Sequence, residues 1–422
     1  MSAPTVSERV QQLRRLLRSE GSAGVARRLR TRAAEALAPH GAQPLPVDRD
    51  DLLRAAEIAA AGWRLPMPAP HREGEPLTVA WVCVPPAAGA GGHTTMFRMV
   101  AALEQAGHRC IVYLHDRHGW ALEQHTRTIR RWWPWVHAEV RDLAEGIEDS
   151  HAIVATCWTT AYPVLASPAK GARCYLVQDF EPSFHPAGSE ALLAEATYRF
   201  GFHGITAGRW LEQRLRRDYG MQADHFDFGC DLGVYRLDRS LDGARDRTGV
   251  CYYCRPSTPR RAFELAVVTL DLFAARHPEV DVHLYGEPPP TLPFRAKSHG
   301  LLTPPQLCDL YNRCIAGLSL SATNVSLVPH ELLAAGCIPV VNDAEHNRIV
   351  LDNDHVAYAP GSPFELADAL CELVEQPPAE RAARAERAAA SVAGSSWDDA
   401  GRQVEAILRG VVERRGATAV AA

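Results

Sequence analysis

Apolar runs and amphipathic stretches alternate along most of the chain from position 77 onward. Short apolar runs are typical of strands that are buried on both faces, and five lie at Leu77–Val84, Arg109–Leu114, Ala152–Trp158, Cys174–Asp179 and Gly204–Gly208. Apolar residues at helical spacing follow several of these runs, as in Thr94–Gln105 and Arg209–Tyr219. Strands that alternate with helices predict βαβ units and a doubly wound parallel sheet.

The alternation restarts after Asp238–Arg247, a polar and charged stretch that we interpret as a linker. Further strands are predicted at Gly249–Cys254, Val280–Tyr285, Ile315–Ser321 and Cys337–Asn342. We therefore predict an α/β fold of two doubly wound, Rossmann-like domains that face a cleft. The predicted parts are a helical extension over 1–76, a first domain over 77–240, a second domain over 241–376, and C-terminal helices over 377–422 that pack back on the first domain.

The first forty residues are strongly basic, with eight arginines and three acidic residues. Val6, Val10, Leu13 and Leu17 recur at helical spacing, which predicts a cationic amphipathic helix. Such a helix either docks on an anionic membrane surface or packs on its own domain or on a partner subunit. The pattern leaves both interpretations open.

Composition excludes several classes of protein. The 422 residues are 46% hydrophobic and 23% charged, and no apolar run is long enough to span a membrane. A net charge of −5 argues against nucleic-acid binding. Eleven scattered cysteines and the lack of a cleavable leader pattern indicate reduced thiols and a cytoplasmic protein, at the inner face of the membrane if the first helix binds lipid.

A glycine-rich segment follows the first predicted strand. Gly89, Gly91 and Gly92 precede a helix that is predicted from Thr94, and glycines before a helix let a backbone approach an anionic ligand closely. The spacing differs from the G-x-G-x-x-G fingerprint of dinucleotide sites. A nicotinamide oxidoreductase remains an alternative, but it leaves the arginine segment of the second domain unexplained.

Arginines are concentrated where the second domain begins. Arg255 ends a predicted strand, and Arg260 and Arg261 are predicted to open a helix, where positive side chains oppose the helix dipole unless an anion is bound. Lys170 and Lys297 are the only lysines of the sequence, so a clamp for a diphosphate would consist of arginines. A solvated pair of surface charges is the alternative.

Two polar loops complete the candidate site. Ser326 and Leu327 precede a short helix predicted from Pro329, where main-chain N–H groups can meet a phosphate, and Glu331 lies in its first turn. In the first domain, Asp179 and Glu181 lie in a loop at the end of a strand, where catalytic groups often gather. Either loop's carboxylates can instead be structural. No metal-ligand spacing is present.

Three segments together resemble GT-B glycosyltransferases of the retaining family 4 type, and more closely the bacterial rhamnosyltransferase WsaF family. They are Tyr253–Arg260, Asn324–Glu331 and Gln178–Pro182. The resemblance covers roughly positions 77 to 375. One departure is Thr323, which stands eight positions before Glu331 where family 4 enzymes commonly carry a second glutamate.

The resemblance implies a role for each candidate residue. Asp179 and Glu181 would position the acceptor, and Arg255 and Arg260 would hold the diphosphate during transfer. The implied donor-binding set is Gly91, Gly92, Arg255, Arg260, Arg261, Gly300, Leu301, Asn324, Ser326, Leu327 and Glu331. Within it, Glu331 would take the ribose hydroxyls, and Gly300 and Leu301 would frame the base.

The implied reaction is transfer with retention from dTDP-L-rhamnose to a glycan or lipid-linked acceptor. The departing phosphate oxygen would take the proton of the acceptor hydroxyl, and neither a metal nor a further cofactor is required. A UDP- or GDP-sugar donor and a non-catalytic nucleotide-sugar binding protein are the alternatives. The sequence leaves the oligomeric state open.

Overall fold

The structure is a computed structural model that describes residues 45–62, 65–67, 71–72, 74–87, 89–240 and 247–420. The cationic helix predicted in residues 1–40 lies outside the described residues, as do residues 241–246 of the predicted linker. Over the described part of the chain, every helix is too short or too polar to span a bilayer. All eleven cysteines are free thiols.

The first half of the chain forms a seven-stranded parallel sheet in the order β3-β2-β1-β4-β5-β6-β7. Its strands are β1 (Thr78–Cys83), β2 (Arg109–Leu114), β3 (Glu139–Asp142), β4 (Ala152–Ala155), β5 (Ala172–Val177), β6 (His203–Ala207) and β7 (Ala223–Phe226). The central strands are buried on both faces, as their continuous apolar runs predict.

Helices precede this sheet and connect its strands. They are α1 (Arg49–Ala60), α2 (Gly91–Gln105), α3 (Leu122–Trp132), α4 (Trp158–Ala166), α5 (Ser189–Thr197) and α6 (Arg209–Tyr219). A short 3₁₀ turn, Glu181–Phe184, follows β5. The helix α6 ends at Gly220, whose positive φ of 63° suits a glycine at a helix C-terminus.

The second half forms a six-stranded parallel sheet in the order β10-β9-β8-β11-β12-β13. Its strands are β8 (Gly249–Cys254), β9 (Asp281–Gly286), β10 (Lys297–Ser298), β11 (Cys314–Leu318), β12 (Ile338–Asn342) and β13 (Ala357–Ala359). The accompanying helices are α7 (Phe263–Arg276), α8 (Pro304–Arg313), α9 (Val328–Ala334), α10 (Glu345–Leu351) and α11 (Pro363–Glu375). Two separate apolar cores underlie the two sheets.

The last two helices are α12 (Pro378–Ser391) and α13 (Trp397–Val420). Of these, the first packs in the second half, where Ala388 is buried in the core, and only the second returns to the first sheet, so the prediction that both pack on the first domain is wrong for the first of them. Ala400, Val404 and Leu408 of α13 are fully buried in the core of the first sheet. Gly401 lies directly against Ala102 of α2, where a larger residue would collide, so this glycine is required by close packing of the two helices.

The predicted fold class is confirmed, since two doubly wound parallel sheets with their own helices are present. Four strands were not predicted, namely β3, β7, β10 and β13. They are the edge strands of the two sheets, and each has four residues or fewer. Segments this short show no clear apolar periodicity from which a strand could be predicted. The predicted helix at Arg260 is wrong: Pro259–Arg261 form a 3₁₀ turn, and Ala262, with a φ of 49°, separates it from α7.

Candidate functional site

The carboxyl ends of β5 and β6 meet the loop that follows β11. Asn324 of this loop is fully buried, and its Nδ2 donates to the main-chain oxygens of Gln178 and Ala207, at 2.9 and 3.2 Å. Gln178 follows β5, and Ala207 ends β6. The two sheets are therefore joined by direct hydrogen bonds at the edge where doubly wound folds bind ligands.

Three arginines lie at the carboxyl end of the second sheet, and each contacts a different set of side chains. Arg255 places its Nη1 2.9 Å from the Tyr253 hydroxyl and its Nε 3.0 Å from a carboxylate oxygen of Glu287. Arg261 donates from Nη1 to the Ser321 hydroxyl at 2.9 Å. Burial lowers the pKa of Arg261, while the nearby Asp179 carboxylate opposes that shift.

Arg260 reaches across to the first sheet. Its Nε lies 3.3 Å from Oδ2 of Asp179, and its guanidinium lies 4.4 Å from the centre of the Phe184 ring. Burial raises the pKa of Asp179, and the Thr323 hydroxyl and the Arg260 charge act in the opposite direction. Asp179 therefore lies between the two halves, and the Arg260 and Thr323 side chains of the second half are its neighbours there.

The 3₁₀ turn fixes the arginines because it is tied to the neighbouring loop. The Ala322 N–H donates to the main-chain oxygen of Arg260 at 2.9 Å. Asn342, which ends β12, accepts from the Ser321 N–H at 2.9 Å and donates from Nδ2 to the Ser321 oxygen at 2.8 Å. Turn, loop and strand end therefore form one hydrogen-bonded unit.

Glu331 lies in α9 and faces the first half of the molecule. The Tyr311 hydroxyl lies 3.4 Å from its Oε2. Burial raises the pKa of Glu331 to about 7, while Tyr311, Tyr235 and the charge of Arg98 oppose the rise. Arg98 belongs to α2 and pairs with Asp231 at 3.4 Å, so a cation of the first half stands near this carboxyl.

Ser326 and Leu327 flank the start of α9, which begins at Val328, one residue earlier than predicted. The Ser326 hydroxyl lies 3.4 Å from the Ser319 hydroxyl. Both residues are partly exposed, on the loop that also carries Asn324. They stay candidates for phosphate contact.

Gly91 and Gly92 lie in the first turn of α2 rather than before it, because the helix starts three residues earlier than predicted. Both are exposed, and the Gln178 side chain donates to the Gly92 oxygen at 3.0 Å. The start of α2 is therefore tied to the loop that carries Asp179.

Gly300 and Leu301 follow β10 at the edge of the second sheet. Gly300 has a φ of 66°, a conformation that favours glycine, and its oxygen accepts from the Gly286 N–H at 2.8 Å. The Leu301 side chain is 86% exposed.

Glu181 is buried below the loop surface. Its Oε2 accepts from the Trp158 N–H at 2.7 Å, and its Oε1 accepts from the Tyr175 hydroxyl at 3.0 Å. Burial raises its pKa above the ordinary value. With both oxygens engaged by the first half, Glu181 supports the loop and the start of α4, which favours the structural interpretation.

Several neighbours of the site were not singled out by sequence reasoning. Arg98 carries no motif that distinguishes it from a surface residue, and its place near Glu331 depends on how the halves meet. Tyr311 lies within an ordinary amphipathic helix. Among the described residues, His, Cys, Asp and Glu side chains nowhere gather in threes as a metal site would need.

Comparison with known proteins identifies the architecture. Residues 248–371 match the family model of the WsaF C-terminal domain. HepE of Anabaena, in a crystal structure with UDP-glucose, aligns with a TM-score of 0.61 at 15% identity over 79% of this chain and all of that chain. TarM aligns at 0.65 and 9% identity over 80% of this chain and 99% of that chain. The fold is GT-B.

Two further relatives bear on the biological setting. WaaG, described as a glycosyltransferase involved in lipopolysaccharide biosynthesis, aligns with a TM-score of 0.57 at 14% identity over 79% of this chain and all of that chain. The O-antigen biosynthesis protein RfbC of Myxococcus xanthus is 32% identical over 266 residues, or 61% of this chain. The matched region spans only 20% of the length of RfbC.

Proposed function

We propose that the chain is a glycosyltransferase that moves a sugar from a nucleoside diphosphate donor to a glycan or lipid-linked acceptor in polysaccharide biosynthesis. The observation that carries the proposal is the convergence of Arg255, Arg260 and Arg261 at the carboxyl end of the second sheet, opposite Asp179 of the first. The match to the WsaF C-terminal domain covers this sheet.

The arginines would hold the diphosphate. A guanidinium can keep one hydrogen bond to the protein and present its other edge to two phosphate oxygens. Arg260 and Arg261 come from one 3₁₀ turn, and Arg255 precedes it by a few residues. Ser326 and Leu327 would meet the distal phosphate through main-chain N–H groups, next to the loop that Arg261 contacts through Ser321.

Glu331 would accept hydrogen bonds from the two ribose hydroxyls. It is the carboxyl group of α9 that faces the first half, and the Tyr311 hydroxyl fixes one of its oxygens. Gly300 and Leu301 would frame the base, because an exposed apolar side chain beside a glycine offers apolar contact and room for a planar ring.

Transfer would proceed with retention, and the departing phosphate oxygen would take the proton of the acceptor hydroxyl. The protein then orients the reactants and stabilises negative charge on the leaving group. Asp179 lies beside Arg260 on the first sheet, so it is placed to position an acceptor hydroxyl close to the leaving phosphate. With the arginines as counter-charges, the proposal requires no metal.

We propose dTDP-L-rhamnose as the donor. Thr323 stands where family 4 enzymes commonly carry a glutamate, and a 6-deoxy sugar needs fewer polar partners than a hexose with a 6-hydroxyl. A UDP-sugar is the alternative donor, since HepE was crystallised with UDP-glucose. The expected location is the cytoplasm, where nucleotide sugars are available.

Thermal unfolding of the full chain with dTDP, UDP, GDP, ADP and NAD tests the proposal. A ligand at about 100 times its Kd adds roughly 2.7 kcal/mol to the free energy of unfolding. We expect dTDP to raise Tm most, and Arg261→Gln to reduce the shift while Arg313→Gln, at an exposed arginine of α8, leaves it unchanged.

Product detection by mass spectrometry then separates catalysis from binding. Rhamnose transfer from dTDP-L-rhamnose to an acceptor supports the full proposal. Stabilisation by UDP or GDP alone would change the proposed donor to a UDP- or GDP-sugar and leave the proposed reaction class unchanged. Stabilisation by NAD alone contradicts it, and nucleotide binding without turnover of any donor favours a non-catalytic binding protein.

A further inference from the structure

Two tryptophans three positions apart are exposed at the end of α3, on the first half of the molecule and outside the proposed site. The side chains of Trp132 and Trp135 are 48% and 42% exposed, whereas Trp133 between them is 2% exposed. We call residues 132–137 the tryptophan turn. Single exposed apolar side chains are ordinary, whereas neighbouring ones that form a patch mark an interaction site.

Hydrogen bonds and the buried Trp133 hold the backbone of the tryptophan turn in place. Trp133 donates from Nε1 to the Thr94 hydroxyl at 3.0 Å, and its ring centre lies 4.9 Å from that of Phe97. Arg130 donates to the main-chain oxygens of Val136, of His137 at 3.3 Å and of Ala138 at 2.7 Å. The buried indole and the hydrogen bonds of Arg130 therefore hold the backbone of the turn, and the two outer indoles are exposed on it.

Exposed arginines of α3 precede the exposed indoles in sequence, and one carboxylate, that of Glu104, accepts from the His137 N–H of the tryptophan turn at 2.9 Å. Arg127 and Arg131 lie one helical turn apart on the exposed face of α3, and neither forms an ion pair with any residue that the structure describes. The guanidinium of Arg130 is engaged with carbonyl oxygens rather than with a carboxylate. Residues 122–137 contain three arginines and one glutamate, in a chain whose net charge is −5.

We propose that Arg127, Arg131, Trp132 and Trp135 form a docking surface for an anionic phospholipid bilayer. Indole rings favour the boundary between headgroups and acyl chains, because the ring is apolar and its N–H is polar. Uncompensated arginines nearby bind lipid phosphates and are attracted by the negative surface potential. The proposal uses none of residues 1–40, and it does not depend on the proposed glycosyl transfer.

Sedimentation of the full chain with lipid vesicles tests the surface. One vesicle type is phosphatidylcholine alone, and the other is an equal mixture of phosphatidylcholine and phosphatidylglycerol. We expect binding to the mixed vesicles only, reduced at least about fivefold by Trp132→Ser/Trp135→Ser and by Arg127→Gln/Arg131→Gln. The matched control is Leu192→Ser/Phe364→Ser, at side chains that are 67% and 62% exposed elsewhere, and we expect it to bind like the parent.

The outcomes separate the possible sources of binding. If the tryptophan variant binds as well as the parent, the surface is not the lipid contact, and binding through another part of the chain such as residues 1–40 is indicated. Equal binding to neutral vesicles overturns the role of charge, and absence of binding to both overturns the proposal. Thermal unfolding of each variant checks that the fold is retained, and Trp132→Phe/Trp135→Phe is expected to restore part of the binding.

Discussion

Asn324 provides a direct test of how the two sheets are held together. Its Nδ2 donates to the Gln178 and Ala207 oxygens at 2.9 and 3.2 Å, and the residue has no exposed surface. Asn324→Ala removes both donors and leaves two carbonyl oxygens at the interface without them. A net contribution of about 0.5–1.5 kcal/mol per hydrogen bond predicts a loss of about 1–3 kcal/mol from the free energy of unfolding.

Urea unfolding measures that loss, and small-angle X-ray scattering measures whether the halves separate. The matched control is Asn312→Ala, because Asn312 is also buried and its Nδ2 donates to the oxygens of Arg236 and Cys308, at 2.9 and 3.0 Å. Those bonds do not reach the first sheet. We expect both variants to lose stability, but only Asn324→Ala to increase the radius of gyration.

The reasoning fails if Asn324→Ala costs less than about 0.5 kcal/mol, the lower end for one hydrogen bond. It also fails if the radius of gyration is the same in the two variants. In either case the halves would be held by other contacts. One such contact is the hydrogen bond from Nε1 of Trp210 to a carboxylate oxygen of Glu345, at 3.1 Å.

Three further predictions follow from the site. Because burial raises the pKa of Glu331 from 4.5 to about 7, the folded state binds more protons than the unfolded state in that window; stability in urea should fall as pH rises through it, and a slope unchanged in Glu331→Gln would contradict this. Glu181→Gln should cost under about 1 kcal/mol and Glu181→Ala about 2 or more, since glutamine still accepts from the Trp158 N–H; equal losses in thermal unfolding would refute it. Asp179→Asn removes the carboxylate that competes for Arg260, so calorimetry should find the Kd of a nucleoside diphosphate lowered about two- to fivefold while transfer falls, and a raised Kd would count against this pairing.

The sheet interiors could be predicted from sequence, because strands buried on both faces need continuous apolar runs. The runs at Arg109–Leu114 and Gly249–Cys254 are strands with those bounds. Strand β3 escaped prediction because its four residues are Glu139, Val140, Arg141 and Asp142, whose charges give no apolar run. At a sheet edge, pairing with β2 rather than burial determines such a strand.

The site was predictable in its residue types but not in its connections. Arginines, a loop and Glu331 are visible as motifs, yet the bonds from Asn324 to the first sheet depend on how the halves meet. The depth of Glu181 was equally hidden, since a carboxyl in a loop gives no sign that Tyr175 and Trp158 surround it. Periodicity describes one element at a time, whereas these contacts join elements distant in sequence.

The three arginines take their partners from three different elements, which bears on how donor binding and domain contact are related. Glu287 follows β9, Ser321 follows β11 and Asp179 follows β5, so one of the three charges is balanced from the opposite half. A phosphate that binds Arg260 weakens the ion pair between Arg260 and Asp179. By linkage, any group that strengthens this ion pair weakens the binding of the phosphate by the same free energy. The Phe184 ring keeps the guanidinium in place during that exchange, because stacking does not occupy its N–H groups. Donor binding and the contact between the halves are therefore expected to be coupled through a single side chain.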